Sequence, residues 1–383
     1  MSQQIIKNQT CTRCVMDTSD PLITFDEYGV CNHCNEFDAV TSKNWFPNEE
    51  GKKRWATIVE QIKATGKGQE YDCILGLSGG VDSSYLAIKV HEWGLRPLVV
   101  HVDAGWNSEL AVANIEAIVK YCNYDLHTHV VDWEDMRDLH LAYLRAGISN
   151  QDVPQDHIFF ASLYHFATKN NIRYILSGGN LATEGIFPHA WHGSAMDAIN
   201  LKAIHRKYGE HKLRNYKTIS FFDCYIWYPL VKKMRTVRPL NYMPYDKAEA
   251  LKELEQTVGY KPYARKHGES QFTKLFQNYY LPKKFGYDKR RPHLSSLIVS
   301  GQMTREEAIV KLDESLYDPS ELEIDIAYFC KKLRITRKQF DELMNVPIHQ
   351  YDDFPTWEGR YRLLKKIQSI VARVLGRQLR IYS

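Results

Sequence analysis

Short apolar runs alternate with segments of helical periodicity across residues 71–179. The apolar runs are of strand length and are bounded by glycine or polar residues, and they predict strands at 71–77, 97–102, 126–131 and 172–179. The intervening segments have helical spacing of their apolar positions and predict helices at 83–93, 107–122 and 155–170. This alternation predicts an α/β fold with a doubly wound parallel sheet. Ligands of such sheets bind beyond the carboxyl ends of the strands.

The pattern is looser after residue 200. Residues 221–231 are predicted as another strand and 245–259 as a helix, and the amphipathic period of 357–376 predicts a long C-terminal helix. Two pairs fit capping boxes, Thr304…Glu307 and Ser320…Glu323. We expect a cysteine module at 1–40, a linker and helix at 41–69, the α/β domain at 70–240, and a basic segment with a helical C-terminal region at 241–383.

Positive charge is concentrated in the middle of the chain. The 383 residues carry a net charge of +4, whereas residues 202–291 hold 21 Lys and Arg against 8 Asp and Glu, or +13. Such a segment indicates anionic substrates or nucleic acid, and a solvated basic surface is the alternative. No apolar run is long enough to span a bilayer, and the N-terminus lacks the apolar core of a signal peptide. We therefore expect a cytoplasmic protein.

A polar loop, LGLSGGVDSSYLA at residues 75–87, leads from the first predicted strand straight into a helix. Glycines let backbone N–H groups approach phosphate oxygens, and the helix N-terminus adds donors and a positive dipole end. The anion-binding residues are predicted to be Ser78, Gly79, Gly80 and Ser83. Asp82 would repel a phosphate, so it either caps the helix or ligates Mg²⁺. The loop is neither a Walker A loop nor a G-x-G-x-x-G turn.

Two other predicted strand ends carry polar or glycine residues. The second strand ends at Asp103, which either contributes to a ligand site or caps the following helix. The fourth ends at Gly178 and Gly179, with Glu184 shortly after. A second glycine-rich end facing the first is what a nucleotide lying across the sheet requires, and a plain turn is the alternative.

Two Cys-x2-Cys pairs near the N-terminus predict a tetrahedral thiolate site. The four ligands would be Cys11, Cys14, Cys31 and Cys34, with 16 residues between the pairs. Zinc is the expected metal, and iron in a rubredoxin-like site is the alternative. Four protein ligands close the coordination shell, so the site is predicted to be structural, with His33 as a bystander. A module this small needs a metal to fold.

Several of these motifs together resemble one enzyme family. Residues 78–83 resemble the S-G-G-x-D-S loop of the PP-loop ATP pyrophosphatases, which cleave ATP between its α- and β-phosphates. The cysteine pairs, SGGVDS, SGGNLATEG and KHGES…YYLPKKFGYDKRRPHLSSLI resemble the N-acetyl sugar amidotransferases. These are PP-loop enzymes of bacterial O-antigen and nonulosonic acid biosynthesis. The resemblance covers roughly residues 10–310.

The resemblance implies a reaction and roles for named residues. ATP, with Mg²⁺, would adenylate the acetamido oxygen of a nucleotide-linked sugar, and ammonia would then displace AMP to give an acetamidino group. The predicted catalytic residues are Asp82, His267, Glu269 and Lys274. The predicted nucleotide-binding residues are Ser78, Gly79, Gly80, Asp82, Ser83, Asp103, Gly178, Gly179 and Glu184. The predicted substrate-binding cations are Lys283, Lys284, Arg290 and Arg291.

The source of ammonia is expected to be a separate protein. Residue 2 is Ser and no Gly-x-Cys-x-Gly nucleophile elbow occurs, so no glutaminase is evident in the sequence. The resemblance implies a partner similar to the glutaminase and cyclase pair of histidine biosynthesis, with neither membrane nor nucleic acid as a ligand. The main alternative is a tRNA-thiolating PP-loop enzyme. The other is a nucleotide-binding or zinc scaffold without catalysis.

Overall fold

The structure is a computed structural model and describes residues 9–263 and 268–375. Its strands form one parallel sheet in the order β3-β2-β1-β4-β5. The strands are β1 (Cys73–Gly76), β2 (Pro97–Asp103), β3 (Leu126–Val130), β4 (Tyr174–Leu176) and β5 (Arg235–Val237). The chain moves outward from β1 to β3 on one side and then returns to place β4 on the other side of β1. The predicted doubly wound α/β fold is confirmed, and its topological switch point lies between β1 and β4.

Helices cover both faces of the sheet and form the C-terminal region. The helices are α1 (Asn32–Ala39), α2 (Glu49–Thr65), α3 (Val81–Glu92), α4 (Glu109–Cys122), α5 (Trp133–Ala146), α6 (Val153–Lys169), α7 (Leu181–Glu184), α8 (Ala198–Tyr208), α9 (Lys247–Val258), α10 (Gln271–Leu275), α11 (Leu281–Phe285), α12 (Arg290–Val299), α13 (Arg305–Asp313), α14 (Pro319–Leu333), α15 (Arg337–Met344) and α16 (Glu358–Leu375). Short 3₁₀ turns occupy Thr41–Asn44, His189–Trp191, Pro239–Tyr242 and Tyr351–Asp353, and π-helical turns occupy Asp223–Val231 and Phe276–Tyr280.

Alternating side chains of the strands divide the core into two layers. Ile74 of β1 points into a cluster with α5, α6 and α8, whereas Cys73 and Leu75 point into a cluster with α2, α3, α4 and α9. Successive residues of a strand face opposite sides of a sheet, which explains this division. Because both faces of β1 are buried, its carboxyl end is the part of the strand that can reach a ligand.

A third apolar cluster holds the C-terminal helices to the α/β domain. Trp106, which follows β2, packs among residues of α10, α14 and α15. Its ring is stacked on Phe329 with centroids 5.5 Å apart, and its indole N–H donates to His140 Nε2 at 3.0 Å. The C-terminal helices therefore sit beside the loop that leaves β2.

Some local predictions are confirmed and others are wrong. Thr304 and Glu307 form the predicted capping box of α13. The predicted box at Ser320 is wrong because Asp318 is the N-cap of α14 and Pro319 opens the helix. Residues 221–231 are not a strand but largely a π-helical turn, and α5 and β5 were not predicted. None of the helices in the described part of the chain is long and apolar enough to cross a membrane.

Candidate active site

The SGGVDS loop connects β1 to α3 as the sequence predicted, and its two serines hold it closed. The Ser83 hydroxyl accepts the N–H of Ser78 at 3.3 Å and donates to the carbonyl of Gly80 at 3.1 Å. The Ser78 hydroxyl lies 3.1 Å from the Ser83 hydroxyl and accepts the N–H of Gly80 at 3.3 Å. Gly80 is the N-cap of α3. The first-turn amides of α3 have no carbonyl one turn earlier to bind, so they remain donors for an anion.

Two glycines of the site are required by close packing of the backbone. Gly79 has φ +84°, and a Cβ there would lie 2.9 Å from the carbonyl oxygen of Ala111 in α4. A Cβ on Gly178, after β4, would lie 2.9 Å from the N atom of Ser83. The two glycine-rich strand ends therefore touch each other at the switch point, as the sequence predicted for a nucleotide that lies across the sheet. Gly179, next in the chain, lies close to Arg238 and Glu184.

Asp82 is held by two hydrogen bonds and does not cap α3. Its Oδ1 accepts from Asn180 Nδ2 at 3.0 Å and from the Tyr245 hydroxyl at 2.6 Å. Burial and the Asp82 carboxylate raise the pKa of Tyr245 far above its usual range, so the phenol stays protonated and donates. Of the two roles predicted for Asp82, the capping role is excluded and the Mg²⁺ role remains. Tyr260 and Tyr263 both donate to the carbonyl of Gly79, at 2.8 and 2.9 Å, and fix the other side of the loop.

A cleft of about 730 Å³ opens over the carboxyl ends of β1 and β2. Its volume is in the range of small-molecule sites, roughly 300–1,000 Å³. One set of polar lining residues, which we term the loop side, is Ser78, Asn180, Glu184, Arg238 and Glu269. A second set, which we term the α6–α12 wall, is Asp152, Asp156, His192, Lys289 and His293. Aromatic and apolar side chains, among them Phe159, Phe160, Phe187, Met196 and Phe276, complete the lining.

Glu269 reaches the loop side because its backbone pairs with the segment after β2. Asn107 and Ser270 form an antiparallel bridge, and the N–H of Ser108 donates to the carbonyl of Glu269 at 2.9 Å. A Cβ on Gly80 would lie 3.3 Å from Glu269 Oε1, so this carboxylate lies against the SGGVDS loop. The predicted role of Glu269 at the nucleotide is compatible with this position. His267, which was also predicted to be catalytic, lies outside the described residues.

The remaining predicted nucleotide ligand at β2, Asp103, shapes the turn after the strand. Its Oδ1 accepts from the N–H of Gly105 at 2.8 Å and from Asn107 Nδ2 at 3.1 Å. The cap of α4 is Ser108, so the alternative in which Asp103 caps that helix is wrong. The adjacent Val102 lines the cleft, which leaves the nucleotide-binding role predicted for Asp103 open to test.

Most of the predicted basic ligands have structural partners instead. Lys274 pairs with Asp325 at 2.7 Å and with Glu321, and it is not among the residues that line the described cleft, so its catalytic role stays a prediction without support from this geometry. Lys284 donates to the carbonyls of Met344 and Val346 at 2.8 and 2.6 Å.

The two adjacent arginines of α12 are also structural. Arg290 pairs with Asp288 at 2.7 Å and donates to carbonyls of α13, and Arg291 pairs with Asp17 at 2.9 Å. Lys283 is exposed on α11 and, like these two arginines, is not among the residues that line the cleft. The substrate-binding role of Lys283, Lys284, Arg290 and Arg291 therefore stays a prediction that the lining of this cleft does not support.

Two cleft cations were missed by the sequence analysis. Arg238 follows β5, and Lys289 directly precedes α12. Lys289 stands beside the predicted Arg290, so the predicted basic segment does contribute a cation to the cleft. Arg238 directly follows the short strand β5, which was not predicted. Residues at the carboxyl ends of parallel strands reach the ligand, so a correct prediction of β5 would have indicated Arg238.

The four N-terminal cysteines form one buried cluster. The sulfur atoms of Cys11 and Cys34 are 4.0 Å apart, those of Cys14 and Cys31 are 3.7 Å apart, and all four lie within 4.8 Å of one another. Tetrahedral zinc with Zn–S bonds of about 2.3 Å places its sulfurs about 3.8 Å apart, so the cluster fits zinc. Backbone N–H groups of Cys14 and Cys31 donate to Cys11 Sγ at 3.4 and 3.2 Å, as expected around thiolate ligands. These cysteines would hold zinc as a structural ion.

His33 and the surrounding module are held by partners outside the cluster. His33 Nε2 lies 2.6 Å from Asp20 Oδ2, consistent with its predicted bystander role. The Arg305 guanidinium donates to the carbonyls of Cys11 and Cys14 at 3.2 and 3.1 Å. Through this arginine the cysteine module is fixed to α13, next to α12 and the cleft.

Comparison with known proteins gives one family match. Residues 269–368 match the family described as LPS biosynthesis protein WbpG-like, C-terminal domain. No curated protein matches the chain.

Three solved structures are similar at low identity. The NH3-dependent NAD synthetase from Campylobacter jejuni is 14% identical over 41% of this chain and 72% of that chain, with a TM-score of 0.28. The NMN synthetase from Francisella tularensis is 12% identical over 70% and 98%, with a TM-score of 0.31. The NAD+ synthetase from Burkholderia pseudomallei is 17% identical over 58% and 94%, with a TM-score of 0.27. TM-scores this low carry no argument, and the fold is described from the sheet itself.

The matched range contains Glu269, Lys289 and all of α12, so it contributes both to the cleft and to the contact with the cysteine module. It also includes the last helices, beyond the part for which the motifs indicated a resemblance. Residues 269–368 are thus similar to the C-terminal domain of WbpG-like LPS biosynthesis proteins, and this match supports the family resemblance predicted from the sequence.

Proposed function

We propose that the chain is an ATP-dependent, AMP-forming synthetase that converts an acetamido group of a nucleotide-linked sugar into an acetamidino group. The observation that carries the proposal is the position of the SGGVDS loop. It lies at the carboxyl end of β1, at the switch point of the sheet, and Ser78 lines the same cleft as the WbpG-like domain. A phosphate-binding loop and a polar wall that share one cleft suit transfer between a nucleotide and a second substrate.

The first half of the reaction forms the bond to phosphorus. The acetamido oxygen attacks the α-phosphorus of ATP, the bond to the bridging oxygen breaks, and pyrophosphate leaves. The amides of the loop and the hydroxyls of Ser78 and Ser83 bind the pyrophosphate while its charge develops. Asp82, Glu184 and Glu269, which lie around the loop and the cleft, would hold Mg²⁺, and this ion would neutralise the phosphates. This donor set fits a cation that is bound mainly through substrate phosphates and one or two carboxylates.

The second half replaces oxygen by nitrogen. Ammonia attacks the imidate carbon, the carbon–oxygen bond breaks, AMP leaves, and a proton from the ammonia is lost to give the acetamidino group. Adenylation turns the amide oxygen, a poor leaving group, into a good one. We further propose that the ammonia comes from a separate glutaminase partner. Turnover of the purified chain with glutamine alone would refute this partner.

The alternative of tRNA thiolation needs reactive cysteines near the nucleotide. The four cysteines outside the N-terminal cluster are Cys73, Cys122, Cys224 and Cys330. Three are buried and Cys224 is half-buried, and no cysteine lines the described part of the cleft. Burial raises the pKa of Cys122 to about 12, which opposes thiolate formation. These observations favour the amidotransferase.

The test combines the purified chain, MgATP, ammonium and a panel of nucleotide-linked acetamido sugars. We expect AMP and pyrophosphate in equal amounts, and a product in which one oxygen of the sugar is replaced by NH in mass spectrometry. Ser78→Ala should lose most of this activity, whereas Ser369→Ala, on the exposed side of α16, should retain it. Formation of ADP, or AMP formation that is independent of every sugar, contradicts the proposal.

A further inference from the structure

Lys289 is fixed in the cleft by two aromatic neighbours. Its ammonium lies 2.8 Å from His192 Nε2 and 5.6 Å from the centre of the Phe187 ring. The rings of Phe187 and His192 are stacked, with centroids 4.3 Å apart and an interplanar angle of 24°. All three residues line the cleft. A lysine side chain has many rotamers, and these contacts select one of them before a ligand binds.

His192 holds the ammonium without removing its charge. Burial and the neighbouring Lys289 lower the pKa of His192 well below its usual range, so the imidazole is neutral and its Nε2 accepts a hydrogen bond from the Lys289 ammonium.

One carboxyl group of the α6–α12 wall, that of Asp156, holds a proton more readily than an ordinary aspartic acid. Burial and Asp152 raise the pKa of Asp156 well above its usual range, although Lys289 lowers it in part. Asp152 itself accepts from Gln155 Nε2 at 3.2 Å and from the Thr273 hydroxyl at 3.0 Å. A protonated Asp156 can donate a hydrogen bond, as a polyhydroxylated ligand needs.

From these contacts we propose that Lys289 binds an anionic group of the acceptor sugar, either a carboxylate on its ring or the diphosphate that carries it. Phe187 and His192 give the apolar surface on which a sugar or base face can pack. Lys289 is in this view a specificity residue of the acceptor site, separate from the loop that binds ATP. The inference rests on the proposed function for the name of the ligand, but its test measures binding and not turnover.

The experiment compares three probes on the full chain by calorimetry. UDP-N-acetylglucosamine carries a diphosphate, N-acetylglucosaminuronic acid carries a ring carboxylate, and N-acetylglucosamine carries neither. We expect the wild-type chain to bind at least one anionic probe more tightly than the neutral sugar. Lys289→Met should weaken that binding about 10- to 100-fold, the range for loss of one charge-assisted hydrogen bond. The probe that loses affinity identifies which anionic group Lys289 contacts.

Two further variants separate a lost contact from a damaged fold. Lys289→Arg keeps the charge and should retain most of the affinity. Lys311→Met removes an exposed lysine of α13, in the same C-terminal domain, and should change nothing. All variants should bind ATP as the wild type does, because ATP belongs to the SGGVDS loop.

Three results overturn the inference. The first is binding of the anionic probes by Lys289→Met within twofold of wild type. The second is equal affinity of wild type for neutral and anionic sugars. The third is binding of none of the probes. Selective binding that depends on Lys289 without any AMP formation supports this site and contradicts the proposed function. AMP formation by Lys289→Met with an unchanged KM for the sugar supports the proposed function and contradicts this site.

Discussion

The contact between Gly79 and α4 predicts how far the SGGVDS loop tolerates a methyl group. Gly79→Ala meets two obstacles, since alanine must adopt φ +84° and its Cβ must lie 2.9 Å from the Ala111 carbonyl oxygen. The left-handed conformation costs a non-glycine residue about 1–2 kcal/mol. Overpacking against a fixed backbone adds about 1–3 kcal/mol. We expect the variant to lose about 2–5 kcal/mol of unfolding free energy, or to move the loop away from α4 instead.

The chain offers matched controls for each obstacle. Gly68 also has a positive φ, +78°, but nothing lies within 4 Å of a Cβ built there, so Gly68→Ala measures conformational strain alone. Gly178 has no positive φ, but its Cβ would lie 2.9 Å from Ser83 N, so Gly178→Ala measures close packing alone.

Urea unfolding and calorimetric ATP binding should be measured on all three variants. Gly68→Ala should lose about 1–2 kcal/mol of unfolding free energy and bind ATP normally. Gly79→Ala and Gly178→Ala should bind ATP at least about tenfold more weakly, because loss of even one hydrogen bond to a charged phosphate costs about 1.5–3 kcal/mol. If Gly79→Ala bound ATP within twofold of wild type, the loop would not be the phosphate site and the reasoning from its geometry would be wrong.

Three other predictions concern the neighbours of the loop, the cysteine cluster and a buried histidine. Tyr245→Phe removes the phenol that donates to Asp82 and should lower the rate of AMP formation about tenfold with little change in thermal stability, measured by AMP assay and melting temperature. Cys31→Ser should lose bound zinc in elemental analysis and unfold at lower temperature, and an unchanged zinc content would contradict a four-thiolate site. Burial lowers the pKa of His140 to about 3, so the unfolded chain binds a proton that the folded chain does not. The unfolding free energy should therefore fall as pH drops below about 6.5, by up to about 1.4 kcal/mol per pH unit from this group, and His140→Gln should show a shallower fall in urea titrations.

The SGGVDS loop and the cysteine cluster were predictable because short-range chemistry defines them. The spacing of Cys11 and Cys14 already brings two sulfurs onto one turn, and the glycines of the loop follow directly on a buried strand. Nothing distant in sequence is needed to recognise either motif. Even so, Asp82 accepts hydrogen bonds from Asn180 and Tyr245, which lie about 100 residues or more away in the sequence, and only the folded chain shows these contacts.

The errors arise where an apolar or basic run has more than one physical meaning. Residues 221–231 have the length and composition of a strand, but a short apolar run cannot be distinguished from a helical segment by periodicity, and the structure has a π-helical turn there. Helix α5 was missed although Asp132 caps its start and Gly147, with a positive φ, ends it. Those two signals are local and were available in the sequence.

The positive charge of residues 202–291 shows why composition did not identify the cations that line the cleft. A count of charges does not reveal which of them have an internal partner, and Arg290, Arg291 and Lys284 all donate to backbone carbonyls of neighbouring segments. Arg291 in particular joins α12 to the cysteine module through the carbonyl of Val15, at 2.7 Å. The same helix begins directly after Lys289, in the cleft. A cation that fixes the module and a cation that faces the cleft are thus two residues apart, so loss of a metal held by the four cysteines would disturb the α6–α12 wall before it disturbs the SGGVDS loop.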